Sequence, residues 1–244
     1  MTESGKGRNA MNPADQTDIR SAVDALKGFA SFADLASALI FKPITETQIE
    51  GLSELDWASI GSINDDFKSG ANDISRYLAK RNSGTRQDLA VDYTASMGGM
   101  STWQGKYAVP CASVFTSDEG LMYQDSYHKA YELYRAHGLT RAEGFDYPDD
   151  HLALMLEFLS IMANRTAELI SSGETESAAE SLNVCTSFID NAILPWYEDF
   201  AEIALKLIST RFYRGVLSIT RGLLAYGHLL FQETLSVIHQ TPNH

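Results

Sequence analysis

Cysteine is nearly absent from this sequence: Cys111 and Cys185 are the only two, and they lie far apart in the chain. No C-x-x-C pair exists, which excludes a zinc ribbon and leaves no disulfide framework to expect. Basic residues are scarce as well, with 19 Lys and Arg against 32 Asp and Glu, a net charge of −13. That deficit argues against nucleic acid as a partner, because phosphate binding needs a basic patch. It suits a basic partner instead. No uncharged apolar run approaches the roughly 18 residues that mark a membrane-spanning helix, so no membrane insertion is expected. The opening residues, MTESGKGRNAMNPADQ, contain neither an apolar core nor paired arginines. A secretory leader is therefore not expected, and a cytoplasmic location is. Runs of alternating β-branched and polar residues are missing, as is any repeat of fixed period. H-E-x-x-H, G-x-S-x-G and G-x-x-x-x-G-K-[ST] are all absent, which leaves no sequence signature of a zinc protease, a serine hydrolase or a P-loop. The nearest approach to a di-metal helix motif is a lone Asp125-x-x-His128. No metal site is expected.

What is present is helical period. Ile19, Val23, Leu26, Ala30, Ala33, Ala36 and Ile40 recur at three- and four-residue steps from Asp15 until Pro43. Residues 1–14 read as a disordered lead-in, 15–240 as one helical domain, and 241–244 as a tail. Thr45-x-x-Gln48 resembles a capping box that opens a short helix to about Trp57. Further helices are expected over 62–82 and from Thr85 to about Met97. The stretch GGMSTWQGKYAVPCA (98–112) has no helical period and contains Trp103 and Pro110. Long loops of this kind are uncommon and often functional. Thr116-Ser117-Asp118-Glu119 reads as another capping box, followed by Tyr123, Tyr127, Tyr131 and Tyr134 on one helical face until Gly138. Helices over 174–194 and 195–209 come next, the second with Pro195 in its first turn. A final helix, whole or broken, covers Phe212 to His239. The fold expected is an all-α, single-domain bundle.

The densest chemistry lies in DYPDDHLALMLEFL (146–159). Pro148 at a first helical position, with Asp149 and Asp150 in the first turn, would start a helix. Each acid would then oppose the helix dipole for a gain of about 0.3–1 kcal/mol. His151 is not explained by that reading. The helix that follows is apolar nearly all round, with a narrow polar line of Asp150, Glu157, Ser160 and Asn164, which makes it central. Its start, carrying Asp150 and His151, is expected to emerge at a surface or cleft as a binding edge. A base dyad of Asp150 and His151 in a small hydrolase is the enzymatic alternative, and a structural subunit that stays with a partner permanently is a third.

These residues resemble a known family. Pro148, Asp150, His151 and Leu152, with Leu156-Glu157-Phe158-Leu159, are similar to the P-x-D-H-[LI]…L-E-F-[ML] signature of the TorD/DmsD redox-enzyme maturation chaperones. LAVDYTASM (89–97), VPCASVFTSDEGLM (109–122), LPWYEDFAEIA (194–204) and FYRGVLSITRGLL (212–224) resemble further segments of that family. Ala112, Met155 and Ala192 depart from its usual residues. The resemblance implies an all-helical, non-enzymatic chaperone. Such a protein would bind the twin-arginine signal peptide of a molybdoenzyme precursor, with the mature part as a further contact, and hold it for cofactor insertion before export. Both monomers and dimers are compatible with it, and weak guanine-nucleotide binding is the one cofactor it implies. The candidate peptide-binding residues are Tyr147, Pro148, Asp150 and His151 at the acidic knot, with Trp103 and Pro110 from the loop.

Overall fold

The computed structural model describes residues 13–141 and 146–240, and most of them are helical. Helix α1 (Pro13–Phe41) ends just before Pro43, because proline lacks an N–H and forces the preceding residue out of helical conformation. Its first residues, Pro13 and Ala14, belong to the helix rather than to the expected lead-in; the rest of that lead-in and the tail lie outside the described residues. Thr45 caps α2 (Glu46–Glu54) as expected: its hydroxyl accepts from Gln48 N at 3.3 Å, and Gln48 Oε1 accepts from Thr45 N at 2.8 Å. Asp56 and Asn64 cap α3 (Trp57–Ile60) and α4 (Asp65–Leu78), and α5 (Thr85–Ala95) follows.

The 98–112 stretch is not wholly irregular. Thr102–Trp103 (β1) and Lys106–Tyr107 (β2) pair antiparallel around Gln104 and Gly105, whose φ of 50° and 80° give the primed turn that matches strand twist. Beyond it the helix expected from Thr116 is displaced. Residues Ala112–Thr116 form a short helix, α6, and α7 runs only from Asp125 to Ala136. The Thr116 hydroxyl, expected to open a helix, instead donates back to Ala112 O, as Ser117 does to Ser113 O, and Gly120 at φ 64° breaks the path between the two helices. Gly138, at φ 70°, ends α7 as its position implied.

Helix α8 (Leu152–Ser172) buries most of its length against α1 and α9 (Thr175–Phe188). A π-helical segment, Ile189–Ile193, joins α9 to α10 (Leu194–Leu207), where Pro195 occupies the first turn. The last helix, α11 (Arg211–Gln240), is continuous and packs against α1, α4 and α9. Gly70 and Gly215 let α4 and α11 meet backbone to backbone: a Cβ on Gly70 would stand 2.6 Å from Gly215 O. Several family-like segments are structural ties. Asp92 accepts hydrogen bonds from the backbone N–H and hydroxyl of both Ser209 and Thr210 just before α11, and the Tyr93 hydroxyl donates to Ile40 O and Phe41 O at the end of α1. Tyr197 likewise donates to Leu217 O at 2.6 Å. The all-α architecture is as the sequence implied.

Candidate peptide-binding site

Helix α8 begins at Leu152, four residues later than Pro148 implies. Pro148, Asp149 and Asp150 form a turn closed by a hydrogen bond from His151 N to Pro148 O at 3.0 Å, and His151 itself is the cap. Its Nδ1 accepts from Ala153 N at 3.2 Å, which requires a neutral ring protonated at Nε2. The histidine that a proline-led helix start left unexplained is thus the residue that starts the helix.

Asp150 and His151 do not emerge at a cleft. Their exposures are 0% and 1%, a correction to the expected binding edge. The cause is the neighbouring chain: Cys111 and His151 form an antiparallel bridge, Leu152 N donates to Pro110 O at 2.7 Å, and Ala112 N donates to Asp150 O at 3.0 Å. A loop that passes this close covers both side chains. The Asp150 carboxylate points to Ser113, accepting from its N–H at 2.7 Å and its hydroxyl at 2.5 Å. Asp149 pairs with Arg141 at 3.2 Å, and Tyr134 donates to Asp149 O at 3.0 Å. One oxygen of each aspartate, Asp149 Oδ2 and Asp150 Oδ1, is buried with no hydrogen-bond partner among the described residues.

The electrostatics follow from burial. Loss of water pushes both carboxyls above their usual range, against the pull of Arg141 on Asp149 and of the Ser113 hydrogen bonds on Asp150. The same burial holds the His151 imidazole down at about 4. A base dyad does not form here: the carboxylate is bound to Ser113, and the imidazole nitrogen that could accept a proton already accepts the Ala153 N–H.

The expected site residues therefore separate. Pro110, Pro148, Asp150 and His151 meet in one buried joint between the α6 loop and α8. Tyr147, 36% exposed, covers that joint, its ring centroid 4.7 Å from His151 and 5.3 Å from Phe41. Trp103 is 43% exposed on the hairpin, which packs against α10 rather than α8.

An apolar cleft lies beside the knot, sharing Tyr134 and Arg141 with it, and the sequence did not mark it as a cleft. Tyr134, Leu139, Leu154, Phe158 and Ile161 line a cavity of about 120 Å³, with Arg141 and Glu157 among its walls. Glu157 makes no ion pair among the described residues, and its carboxyl is raised by partial burial and by nearby Asp34 of α1. The signal in the sequence was that Glu157 interrupts an apolar run; the loop residues Leu139–Arg141 carry no periodic mark. Among the described residues no group of histidine, cysteine and acidic side chains could hold a metal ion, both cysteines are free and buried, and no helix is long and apolar enough to cross a membrane.

Comparison with known proteins agrees with the resemblance. The model of the nitrate reductase delta subunit family matches residues 62–202, more than half of the chain. A Vibrio cholerae protein named chaperone protein TorD is 29% identical over 208 residues, covering 83% of this chain and 91% of its own. Proteins of the same name from Vibrio parahaemolyticus (27% over 195 residues; 78% and 86% covered) and Aliivibrio fischeri (22% over 182 residues; 74% and 83%) are also similar. The chain belongs to the TorD/DmsD family of redox-enzyme maturation chaperones, within the nitrate reductase delta subunit family, and it is a chaperone rather than an enzyme.

Proposed function

We propose that this chaperone binds the twin-arginine signal peptide of a molybdoenzyme precursor in the cytoplasm and holds the precursor until its cofactor is inserted. The observation that carries this reading is the cleft of Leu139, Leu154, Phe158 and Ile161 with Glu157, which makes no ion pair among the described residues, at its wall. A leader of this class is a basic segment followed by an apolar one. Apolar walls would bury its hydrophobic side chains, at about 25 cal/mol per Å² before ordering costs, and Glu157 with Asp34 would attract its cations. A cleft of this size takes one or two side chains, so the rest of the peptide would lie over the surface. The buried joint would act by holding this surface in place rather than by touching the peptide.

Calorimetry with the full chain and synthetic leader peptides tests the proposal. The native leader should bind with a negative heat-capacity change. Replacing its leucines by serine should weaken binding far more than replacing its arginines by lysine, which keeps the charge and loses only the planar fork. Ile161→Glu, which puts a charge into the cleft at a half-buried position, should abolish binding of the native peptide while far-ultraviolet circular dichroism is unchanged. Equal binding of the serine and native peptides would remove the cleft from the mechanism. Weak guanine-nucleotide binding would suit a different place: a cleft of about 630 Å³ lined by Arg76, Lys80 and Arg211 with Tyr77, beside the start of α5. Those cations are few in so acidic a chain.

A further inference from the structure

The tyrosines that share one helical face in the sequence, Tyr123, Tyr127, Tyr131 and Tyr134, divide in the structure. Only Tyr134 and Ala130 of α7 are buried. Leu121, Met122, Tyr123 and Tyr131 are exposed at 53%, 44%, 48% and 39%, and with the half-buried Tyr127, whose ring meets His128 at 5.1 Å, they form an apolar and aromatic strip. Its rings are ordered among themselves. Tyr123 and Tyr127 meet edge to face at 5.2 Å, and Tyr127 and Tyr131 stack at 6.4 Å with planes 20° apart. The strip already holds one guanidinium, since Arg135 lies over the Tyr131 ring at 5.7 Å.

The foot of this ladder is held by the acidic knot. Tyr123 has φ 63°, a left-handed conformation that costs a non-glycine residue about 1 kcal/mol or more and that turn residues such as asparagine adopt far more readily. Two ties keep it there: its hydroxyl donates to Asp146 O at 3.4 Å, and the next residue's N–H, Gln124 N, donates to Ser113 Oγ at 3.1 Å. Ser113 Oγ in turn donates to the buried Asp150 at 2.5 Å. Asp118, Glu119, Asp125 and Glu132 are exposed in the same segment, against Lys129 and the Arg135 already on the ladder.

We infer that the Tyr123–Tyr127–Tyr131 ladder, positioned by Asp150 through Ser113, receives the arginines of the leader by cation–π contact while the apolar part enters the cleft. This deepens the leader-binding reading and rests on it. Guanidinium groups are attracted to the faces of tyrosine rings, and the flanking carboxylates supply the complementary field. The geometry also sets the spacing. Tyr127 and Tyr134 are seven residues apart on α7, about 10 Å at 1.5 Å per residue. Tyr134 lines the cleft. An extended peptide covers that distance in about three residues. An arginine on Tyr127 thus places the leader's next apolar residues at the cleft.

A double-mutant cycle by calorimetry tests it, using the full chain, a native leader peptide and a peptide with both arginines replaced by glutamine. Tyr123→Leu with Tyr127→Leu should weaken the native peptide roughly ten-fold, while Tyr123→Phe with Tyr127→Phe, which keeps the π faces, should stay within about two-fold. Wild type and the leucine variant should bind the glutamine peptide alike. The inference is overturned if the leucine variant binds the native peptide as wild type does, or if it loses equally for both peptides, as a plain apolar contact would. In either case a wild type that still binds the native leader, and an Ile161→Glu variant that does not, would leave the leader-binding reading standing. Failure of wild type to bind the native leader at all would bring down both.

Discussion

The acidic knot at 146–151 and the tyrosine strip at 121–131 are joined by the Tyr123 hydroxyl on Asp146 O and, through Ser113, by Gln124 N to Asp150, and are otherwise built in opposite ways. The knot concentrates charge and hides it: Asp149, Asp150 and His151 are all at most 2% exposed. The strip concentrates large rings and leaves Tyr123 and Tyr131 exposed and Tyr127 half-buried. Charge density in a sequence therefore did not mark an exposed surface here, and of the aromatic stripe only Tyr134 entered the core. The knot is the fastening, and the strip is the free face it fastens.

The contrast breaks most readily at Asp150. If this residue served only as a charge at a helix start, Asp150→Ala would cost about 0.3–1 kcal/mol. Because it buries two Ser113 donors, alanine should instead cost about 3 kcal/mol in denaturant unfolding, and Asp150→Asn, which keeps one acceptor and removes the buried charge, under about 1 kcal/mol. A loss below about 1 kcal/mol for alanine would mean the joint is not a fastening.

His151 comes next, with a definite sign. Its folded value, about 4, lies below the unfolded one, about 6.5, so the folded state resists protonation. The neutral ring's contribution is complete above pH 6.5 and is lost as pH falls toward 4, by at most about 3 kcal/mol. Protonation of Asp149 and Asp150, whose values are raised, works the other way at the acid end of that window. The measurement is therefore the difference between wild type and His151→Asn, in which asparagine keeps a cap: wild type should lose more stability than the variant between pH 7 and 4.5. Parallel curves would show that the imidazole is not held neutral by burial.

Changes on the strip should do the reverse, altering binding with little effect on stability. Tyr127→Leu should shift unfolding by no more than about 0.5 kcal/mol. The smallest and most telling change is Tyr123→Gly. Glycine accepts the left-handed backbone, so the variant should be as stable as wild type or more stable by up to about 1 kcal/mol, while it loses a rung of the ladder and binds leader less well. A variant that is less stable and binds as tightly would reverse the roles assigned to the two regions.

The sequence by itself determined the helices and most of their ends, because those depend on neighbours a few residues away. Period placed α1, α4 and α8, Thr45-x-x-Gln48 placed α2, and Gly138 ended α7. The family was legible for the same reason, in local strings such as P-x-D-H and D-Y. Only the tertiary structure decided what those strings are for. Whether Asp150 faces a ligand or a serine depends on where residues 110–113 pass, some 40 positions earlier in the chain, and that path is set by packing and not by the residues beside Asp150. The misplaced start of α7 has the same origin: Ser113, which could not be read as a partner of Asp150 from spacing, also draws in Gln124 N and reassigns the turn before the helix. Burial is a property of the assembled core, and at this site burial turned the most conspicuous charges into structure and left tyrosines and an apolar cleft at the surface.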